Sequence, residues 1–252
     1  MIIFYDIPST LPKIAWSLST WRVRYCLNYK RLPYRTEWVE YPDVQSHCQS
    51  LGISPTSTRN GQPFYTLPAI QDTSTSMSLS ESMNIASYLD QKYPEMRKVI
   101  PEGTEAFQHA FMATFRENII KRLVPFVVPV SPSRLNPRSA DYFKKTRQEW
   151  FRKPLENVLP VGKERDRKWK EVREAFVGLD EWLAYSAKFR GEKSSFMTGE
   201  NPIFIDFVIG GQLLWLKSIL GERSEEWKEM KTWNDGRLER LSNRLKEWEM
   251  VQ

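Results

Sequence analysis

The hydrophobic pattern of this 252-residue chain changes near Pro94, and that change constrains its architecture more than any other feature. Before Pro94, short strand-like runs alternate with helical segments. After it, apolar residues recur only at the three- and four-residue spacing of helices, and no further strand is indicated. The pattern therefore predicts two domains, an α/β domain over residues 1–95 and an all-helical domain over residues 103–252.

The α/β domain is predicted to begin with a βαβ unit. Strands are expected at 2–5 and 34–40, on either side of a helix over 18–30. A stretch rich in Gly, Pro, Ser and Thr over 49–63 then predicts a long irregular connection, with one helical turn in the segment 43–51. A further hairpin and helix, described below with their polar residues, give the order βαβ–ββα.

The helical domain is predicted from apolar stripes. An aromatic stripe over 107–123 indicates a helix of about five turns, which the proline-rich segment 125–137 is expected to break. Two further stripes, over 169–183 and 238–248, predict other helices of a bundle. The apolar stretch 203–220 contains charged residues and falls short of the ~20 apolar residues of a membrane span, so it predicts a buried core helix.

Charge and cysteine content exclude several classes of function. The net charge is +6, but Lys and Arg alternate with acids, as in KERDRKWKEVRE, which is typical of solvated helix faces and not of a nucleic-acid-binding stripe. The two cysteines, Cys26 and Cys48, form no CxxC motif and no Cys/His cluster, so neither a disulfide framework nor a metal site is indicated. The first residues lack the features of a secretory signal, which predicts a cytoplasmic protein that does not enter a membrane.

Hydroxyl groups cluster where the first strand connects to the first helix. Ser17, Ser19 and Thr20 stand at the start of the helical run WRVRYCLNYK. One interpretation is a helix N-cap, in which a hydroxyl oxygen accepts a hydrogen bond from a free N–H group. The other is an anion site, because the free N–H groups and the helix dipole both favour negative charge there.

A proline stands in the predicted β-hairpin over 66–79. Pro68 would remove a ladder donor from its strand, and the Leu67–Pro68 bond is a candidate for the cis isomer. Such a bend would direct the backbone N–H and C=O of Leu67 toward an extended peptide ligand, which would pair with them as an added strand.

An acid and a hydroxyl open the predicted helix over 81–93. Glu81 and Ser82 could simply cap this helix. Alternatively, Glu81 pairs with an ammonium group while Ser82 and the helix N–H groups hold a carboxylate, which would form a site for the α-amino acid end of a ligand.

The order of these three features resembles the cytosolic glutathione transferases. The segment KIAWSLSTWRVRYCLNYKRLPYRTEWVEYPD, followed by Leu67–Pro68 and Glu81–Ser82, is similar in detail to the fungus-specific class A (FuA) transferases, which are related to bacterial lignin β-etherases. The resemblance implies a thioredoxin-like N-terminal domain, an all-helical C-terminal domain and a cytoplasmic homodimer. It also implies that glutathione is the co-substrate.

Within this resemblance, Ser17 occupies the position whose hydroxyl donates a hydrogen bond to the glutathione thiolate. Leu67 would pair with the cysteinyl backbone, and Pro68 would be the cis-proline of the family. Glu81 and Ser82 would hold the γ-glutamyl ammonium and carboxylate. The implied glutathione-binding set is Ser17, Ser19, Thr20, Leu67, Pro68, Glu81 and Ser82.

The implied reaction is conjugation or reduction of hydrophobic aromatic electrophiles, as in detoxification of xenobiotics. A glutathione-dependent ether-cleaving or dehalogenating enzyme uses the same thiolate and is an alternative, as is a ligandin that carries aromatic compounds with little turnover. Phe115, Phe126 and Trp215 are candidates for the apolar site of the second substrate, although such aromatic stripes more often form core. A thiol-transferase is disfavoured because a serine cannot form a mixed disulfide.

The chain departs from the family pattern at the buried helix of the second domain. The family places a Ser or Thr three residues before an Asp; here the Asp is Asp206, the cap position is Ile203, and Asn201 could take over the capping.

The residue that would meet the glycyl carboxylate of glutathione is not fixed by the resemblance. Three candidates remain open: Arg59, Gln62 and His47.

Overall fold

The computed structural model describes residues 1–190 and 196–252 of the chain. Its strands are β1 Ile2–Asp6, β2 Tyr34–Trp38, β3 Ser57–Arg59, β4 Gln62–Phe64, β5 Ala69–Asp72 and β6 Met77–Ser80. Four of them form one sheet in the order β2-β1-β5-β6. Strand β2 runs parallel to β1, whereas β5 and β6 add antiparallel neighbours. This mixed sheet confirms the predicted thioredoxin-like fold.

The connection that was expected to be irregular contains regular structure, so that expectation was wrong. Strands β3 and β4 pair antiparallel across the two residues Asn60 and Gly61. Both have positive φ, 48° and 74°. Two such residues between paired strands form a type I′ turn, for which Asn-Gly is a strong sequence signal. The segment before this hairpin is helix α2, Val44–Ser50, which is longer than the single turn expected.

The N-terminal part contains two longer helices, each of which follows a strand of the sheet. Helix α1, Leu18–Tyr29, follows β1, and helix α3, Ser82–Lys92, follows β6. Val23 and Leu27 of α1 are fully buried. The elements therefore occur in the predicted βαβ–ββα order.

All remaining described elements are helical, which confirms the predicted all-helical C-terminal part. The α-helices are α4 Glu105–Phe115, α5 Lys121–Val127, α6 Pro137–Phe151, α7 Gly162–Arg190, α8 Phe204–Leu220 and α9 Glu225–Leu245. A π-helical stretch, Arg116–Ile120, joins α4 to α5. The helical run ends at Val127, within the proline-rich segment 125–137 that was predicted to break it, although Pro125 itself lies inside α5. A proline removes only one N–H from the helical ladder.

Helix α8 forms the centre of the helical part and packs against α1. All but three of its residues are buried, as expected for the core helix predicted over 203–220. A Cβ added to Gly211 would lie 2.7 Å from the Leu18 carbonyl oxygen. This close backbone approach fixes the start of α1 against α8. No helix in the described ranges combines the length and apolar character that a membrane crossing requires.

In the part of the chain that the structure describes, the start of α8 has no capping hydroxyl, and the Asn201 side chain does not take over that role. Ile203 is the N-cap residue, and Asn201 lies exposed two positions before it. Asp206 is fully buried, and its two oxygens accept the backbone N–H groups of Ile203 at 2.9 Å and of Met197 at 2.8 Å. Burial raises the pKa of Asp206 to about 7, although the hydrogen bonds from backbone N–H groups oppose this rise.

Candidate functional site

A cleft of ≈ 270 Å³ lies between the N-terminal part and helix α6. One wall is formed by the start of α1, the Leu67–Pro68 bend, Glu81 and the β3–β4 hairpin. The opposite wall includes Tyr142, Thr146 and Arg147 of α6. The cleft thus brings together polar groups that are far apart in the sequence.

Ser17 is the N-cap residue of α1, but its hydroxyl does not cap the helix. Its backbone has φ −72° and ψ 130°, and no capping hydrogen bond to its side chain is formed within the described chain. Its carbonyl oxygen accepts the Trp21 N–H at 3.0 Å and the Thr20 hydroxyl at 3.1 Å. The Ser17 hydroxyl therefore remains available at the positive end of the helix dipole, in the wall of the cleft.

The three hydroxyl residues at this helix start are not equivalent. Ser17 and Ser19 line the cleft, whereas Thr20 is fully buried and its hydroxyl bonds to the Ser17 carbonyl oxygen. Thr20 therefore supports the backbone of Ser17 from behind and does not face a ligand.

The Leu67–Pro68 bond is cis, as the sequence suggested. It lies just before β5, and both residues line the cleft. Among the residues that the structure describes, the backbone N–H and C=O of Leu67 have no hydrogen-bond partner. An extended peptide in the cleft could pair with them as an added strand.

Glu81 and Ser82 form the start of α3 with different exposures. Glu81 is the N-cap residue, has φ 76°, makes no side-chain cap hydrogen bond within the described residues, and lines the cleft. A non-glycine residue with such a φ is uncommon and often has a functional reason. Ser82, the first residue of the helix, is 2% exposed and follows Glu81 directly. The side-chain capping considered for Glu81 is thus not observed.

Of the three basic or amide candidates, only Arg59 lies in the cleft wall. It stands at the end of β3, with its Cζ atom 3.6 Å from the centre of the Phe64 ring. Gln62 is exposed on β4, outside the lining. His47 packs its ring against Tyr5, with 4.5 Å between ring centroids, and also lies outside the lining.

The three aromatic residues expected at the second-substrate site lie outside this cleft. Phe115 stacks on Phe111 and lines a separate groove between α4 and α7. Phe126 packs against Trp169, and Trp215 is buried in α8. All three belong to apolar stripes that pack the helices together, which is the more common role of such stripes.

The aromatic wall of the cleft comes from residues that the sequence analysis missed. Tyr41 follows β2 and stacks on Tyr142 of α6, with 6.4 Å between ring centroids. Phe64 and Tyr65 complete this wall from the hairpin side. Helix α6 itself was not predicted, although Pro137 at its first position is a recognisable helix-start signal.

The two thiols of the chain are unsuited to nucleophilic chemistry. Cys26 and Cys48 are both fully buried. Burial raises the pKa of the Cys26 thiol well above its ordinary value, and that of Cys48 also rises for the same reason. The thiolate is the reactive form, and the raised pKa keeps both thiols protonated at neutral pH. The two cysteines therefore act as small apolar side chains in the core.

The fold and cleft define a thioredoxin-like unit with a helical partner domain, and the comparisons with known proteins agree. Residues 16–92 match the family model for the glutathione S-transferase N-terminal domain, and residues 106–248 match that for the C-terminal domain. The chain belongs to the glutathione S-transferase family.

Fungal members of this family are similar to the chain over its whole length. A glutathione S-transferase of Ceriporiopsis subvermispora, CsGST63524, crystallised with glutathione, is 40% identical with a TM-score of 0.94, covering 100% of this chain and 98% of the other. Transferase GSTFuA3 of Phanerochaete chrysosporium is 35% identical with a TM-score of 0.92, covering 100% and 98%. The glutathione S-transferase-like protein ustS of Aspergillus flavus is 31% identical, covering 97% of this chain and 90% of its own. The similarity to FuA transferases expected from the sequence is confirmed.

Proposed function

We propose that this protein conjugates glutathione to hydrophobic aromatic electrophiles, with the Ser17 hydroxyl stabilising the glutathione thiolate. The observation that carries the proposal is the free Ser17 hydroxyl at the start of α1, facing the cleft. A free thiol has a pKa near ~8.5, so only a small fraction is ionised at neutral pH. A hydroxyl donor and the helix dipole both favour the anion, so the pKa of the bound thiol falls and more of the nucleophile is present.

The rest of the cleft supports glutathione as the co-substrate. The unpartnered backbone groups of Leu67 suit the cysteinyl unit, and the exposed carboxylate of Glu81 suits the γ-glutamyl ammonium. Arg59 suits the glycyl carboxylate at the other end of the peptide. The crystallisation of the Ceriporiopsis relative with glutathione adds support.

The second substrate would bind against the aromatic wall formed by Tyr41, Tyr142 and Tyr65. Cleavage of an aromatic ether would use the same thiolate and the same wall. A ligandin would use the wall alone, and it would bind aromatic compounds without forming product. We further propose a cytoplasmic homodimer, as in the family that the sequence resembles.

Replacing Ser17 by alanine tests the catalytic proposal. We expect Ser17→Ala to lower kcat/KM for conjugation by about one to three orders of magnitude, because a hydrogen bond to a charged group contributes roughly 1.5–3 kcal/mol. The pKa of bound glutathione, followed by the ultraviolet absorbance of the thiolate, should rise in the same variant. Ser19→Ala is the matched control from the same helix start. Full activity in Ser17→Ala, or a larger loss in Ser19→Ala, would reject Ser17 as the donor.

Replacing Glu81 and Ser82 tests the glutathione site. We expect Glu81→Ala and Ser82→Ala to weaken glutathione binding, measured by calorimetric titration beside thermal melts of the same proteins. Helix capping alone would instead lower stability by ~0.5–2 kcal/mol and leave affinity unchanged. Melting temperatures that fall while the dissociation constant stays within about twofold would contradict the proposed γ-glutamyl site.

A further inference from the structure

The charged side chains that line the cleft include more cations than anions. The lining contains two arginines, Arg59 and Arg147, and one acid, Glu81. Arg59 belongs to the β3–β4 hairpin of the N-terminal part, while Arg147 projects from α6 of the helical part. The two cations therefore stand on different walls of one cleft.

Neither arginine is neutralised by the protein. Within residues 1–190 and 196–252, neither forms a salt bridge. Arg147 donates from Nη1 to the Thr146 hydroxyl at 3.0 Å, and its Cζ atom lies 4.4 Å from the centre of the Phe143 ring. Partial desolvation, and then the charge of Arg147, lower the pKa of Arg59.

Two like charges that face one cleft without a partner favour anionic groups on the ligands that enter it. Under the proposed function, the glycyl carboxylate of glutathione accounts for one of the two cations. Arg59 is the better match, because it stands on the same wall as Leu67 and Glu81. Arg147, on the opposite wall and beside the Tyr41 ring, then remains without an anion.

The surroundings of Arg147 specify the kind of group that would complete the site. Its Cζ atom lies 5.8 Å from the centre of the Tyr41 ring, and Tyr41 stacks on Tyr142. A planar guanidinium beside a pair of aromatic rings suits an aromatic ligand with a planar anionic substituent.

We propose that the preferred electrophiles of this protein are aromatic carboxylic acids, whose carboxylate is bound by Arg147. This inference rests on the proposed function and adds a substrate class to it. When a chlorodinitrobenzoate serves as the probe substrate, the thiolate sulfur forms a bond to the ring carbon that bears chlorine. The carbon–chlorine bond breaks, chloride leaves with the bonding electron pair, and the thiol proton passes to solvent. The carboxylate stays ionised throughout.

The test compares the chlorodinitrobenzoate with its uncharged methyl ester. Each kcat/KM is divided by the uncatalysed rate with glutathione, which removes the difference in intrinsic reactivity between the two probes. We expect the wild type to prefer the carboxylate by about tenfold, and Arg147→Gln to abolish that preference while still conjugating the ester. Arg147→Lys should restore part of it.

Lys145→Gln is the matched control for net charge. Lys145 is exposed on α6 outside the cleft lining, and residues two apart on a helix do not share a face. This variant should keep the wild-type preference. An equal loss in Lys145→Gln would show that the total charge decides, and it would overturn the role of Arg147. So would a raised KM for glutathione in Arg147→Gln with the carboxylate preference intact, because Arg147 would then hold the glycyl end.

A binding measurement separates failure of this inference from failure of the proposed function. The two conjugates, glutathionyl dinitrobenzoate and its methyl ester, do not react further and can be titrated calorimetrically. We expect the wild type to bind the carboxylate conjugate about tenfold more tightly than the ester conjugate, and Arg147→Gln to bind them equally. The same binding ratio in both proteins would overturn the inference. The expected ratios together with full activity of Ser17→Ala would support the inference and reject only the catalytic role of Ser17.

Discussion

Helices α1 and α8 pack against each other, but their first residues differ in whether the protein itself satisfies their polar side chains. At α8 the N-cap side chain is apolar, the Asp206 N–H donates to the Ile203 carbonyl oxygen, and the buried Asp206 carboxylate accepts the backbone N–H groups of Ile203 and Met197. At α1 the N-cap is Ser17, which has a suitable hydroxyl but does not use it for capping. A polar group that the fold itself satisfies contributes stability, whereas one left free at a cleft is available to a ligand. The predictions below test this distinction.

The largest effect is expected at α8. Asp206→Ala leaves two buried N–H groups without an acceptor, and each such group costs about 1–3 kcal/mol. We therefore expect the free energy of unfolding, measured with denaturant, to fall by about 2–6 kcal/mol. Asp166→Ala, at an exposed position of α7, should change it by less than about 0.5 kcal/mol. A similarly small change in Asp206→Ala would show that the Asp206 carboxylate does not stabilise the start of α8.

The pH dependence of stability sharpens the same point. The pKa of Asp206 is raised to about 7 in the folded state by burial, against about 3.9 in an unfolded chain. The folded protein therefore binds more protons between these values, and this group makes stability fall as the pH rises from about 4 to about 7. Other groups also titrate, so the quantity to measure is the difference between the wild type and Asp206→Asn. That difference should change by an amount on the order of a few kcal/mol across this window. Parallel pH profiles would contradict the raised pKa.

Much of the fold could be predicted because the spacing of apolar residues and the positions of turn-forming residues are local features of the sequence. Strands β1 and β2, helix α1 and the core helix α8 all follow from the spacing of apolar residues. The β3–β4 hairpin was missed because the surrounding Gly, Pro and Ser residues concealed the Asn60–Gly61 turn signal. Helix α6 was missed because its buried surface is small, with only Ser139 and Phe143 buried.

The candidate site could be predicted only where a motif marks it. Ser17, Leu67 and Glu81 stand at strand or helix ends whose order is distinctive, and the structure places all three in one cleft. Tyr41 and Arg147 are 106 positions apart in the numbering (147 − 41) and meet only because α6 packs beside the segment after β2. No local pattern encodes such a meeting. Phe115, which was predicted to contact the substrate, lies outside the cleft, because its position in an apolar stripe does not show what it packs against.

The contact between helices α1 and α8 allows a third test, with a smaller expected effect. Gly211 of α8 lies so close to α1 that a Cβ would come within 2.7 Å of the Leu18 carbonyl oxygen. Because backbone atoms cannot move aside easily, we expect Gly211→Ala to lower the free energy of unfolding by about 1–3 kcal/mol. Gly178→Ala is the control, since nothing lies within 4 Å of its added Cβ. That variant should gain roughly 0.5–1 kcal/mol from reduced chain entropy. Equal effects in both variants would show that the α1–α8 contact is not sterically tight.

The last and smallest effect comes from two serines in the same helical position. Ser17 and Ser224 are the N-cap residues of α1 and α9, but only the Ser224 hydroxyl caps its helix, accepting the Trp227 N–H at 3.2 Å. Ser224→Ala should therefore lose about 1 kcal/mol of stability, within the usual range of roughly 0.5–2. Ser17→Ala removes no such bond, so its free energy of unfolding should stay within about 0.5 kcal/mol of the wild type. Denaturant unfolding of both variants, without glutathione, makes the comparison. A loss in Ser17→Ala as large as that in Ser224→Ala would mean that Ser17 serves the helix after all, and that its hydroxyl is not held free for a thiolate.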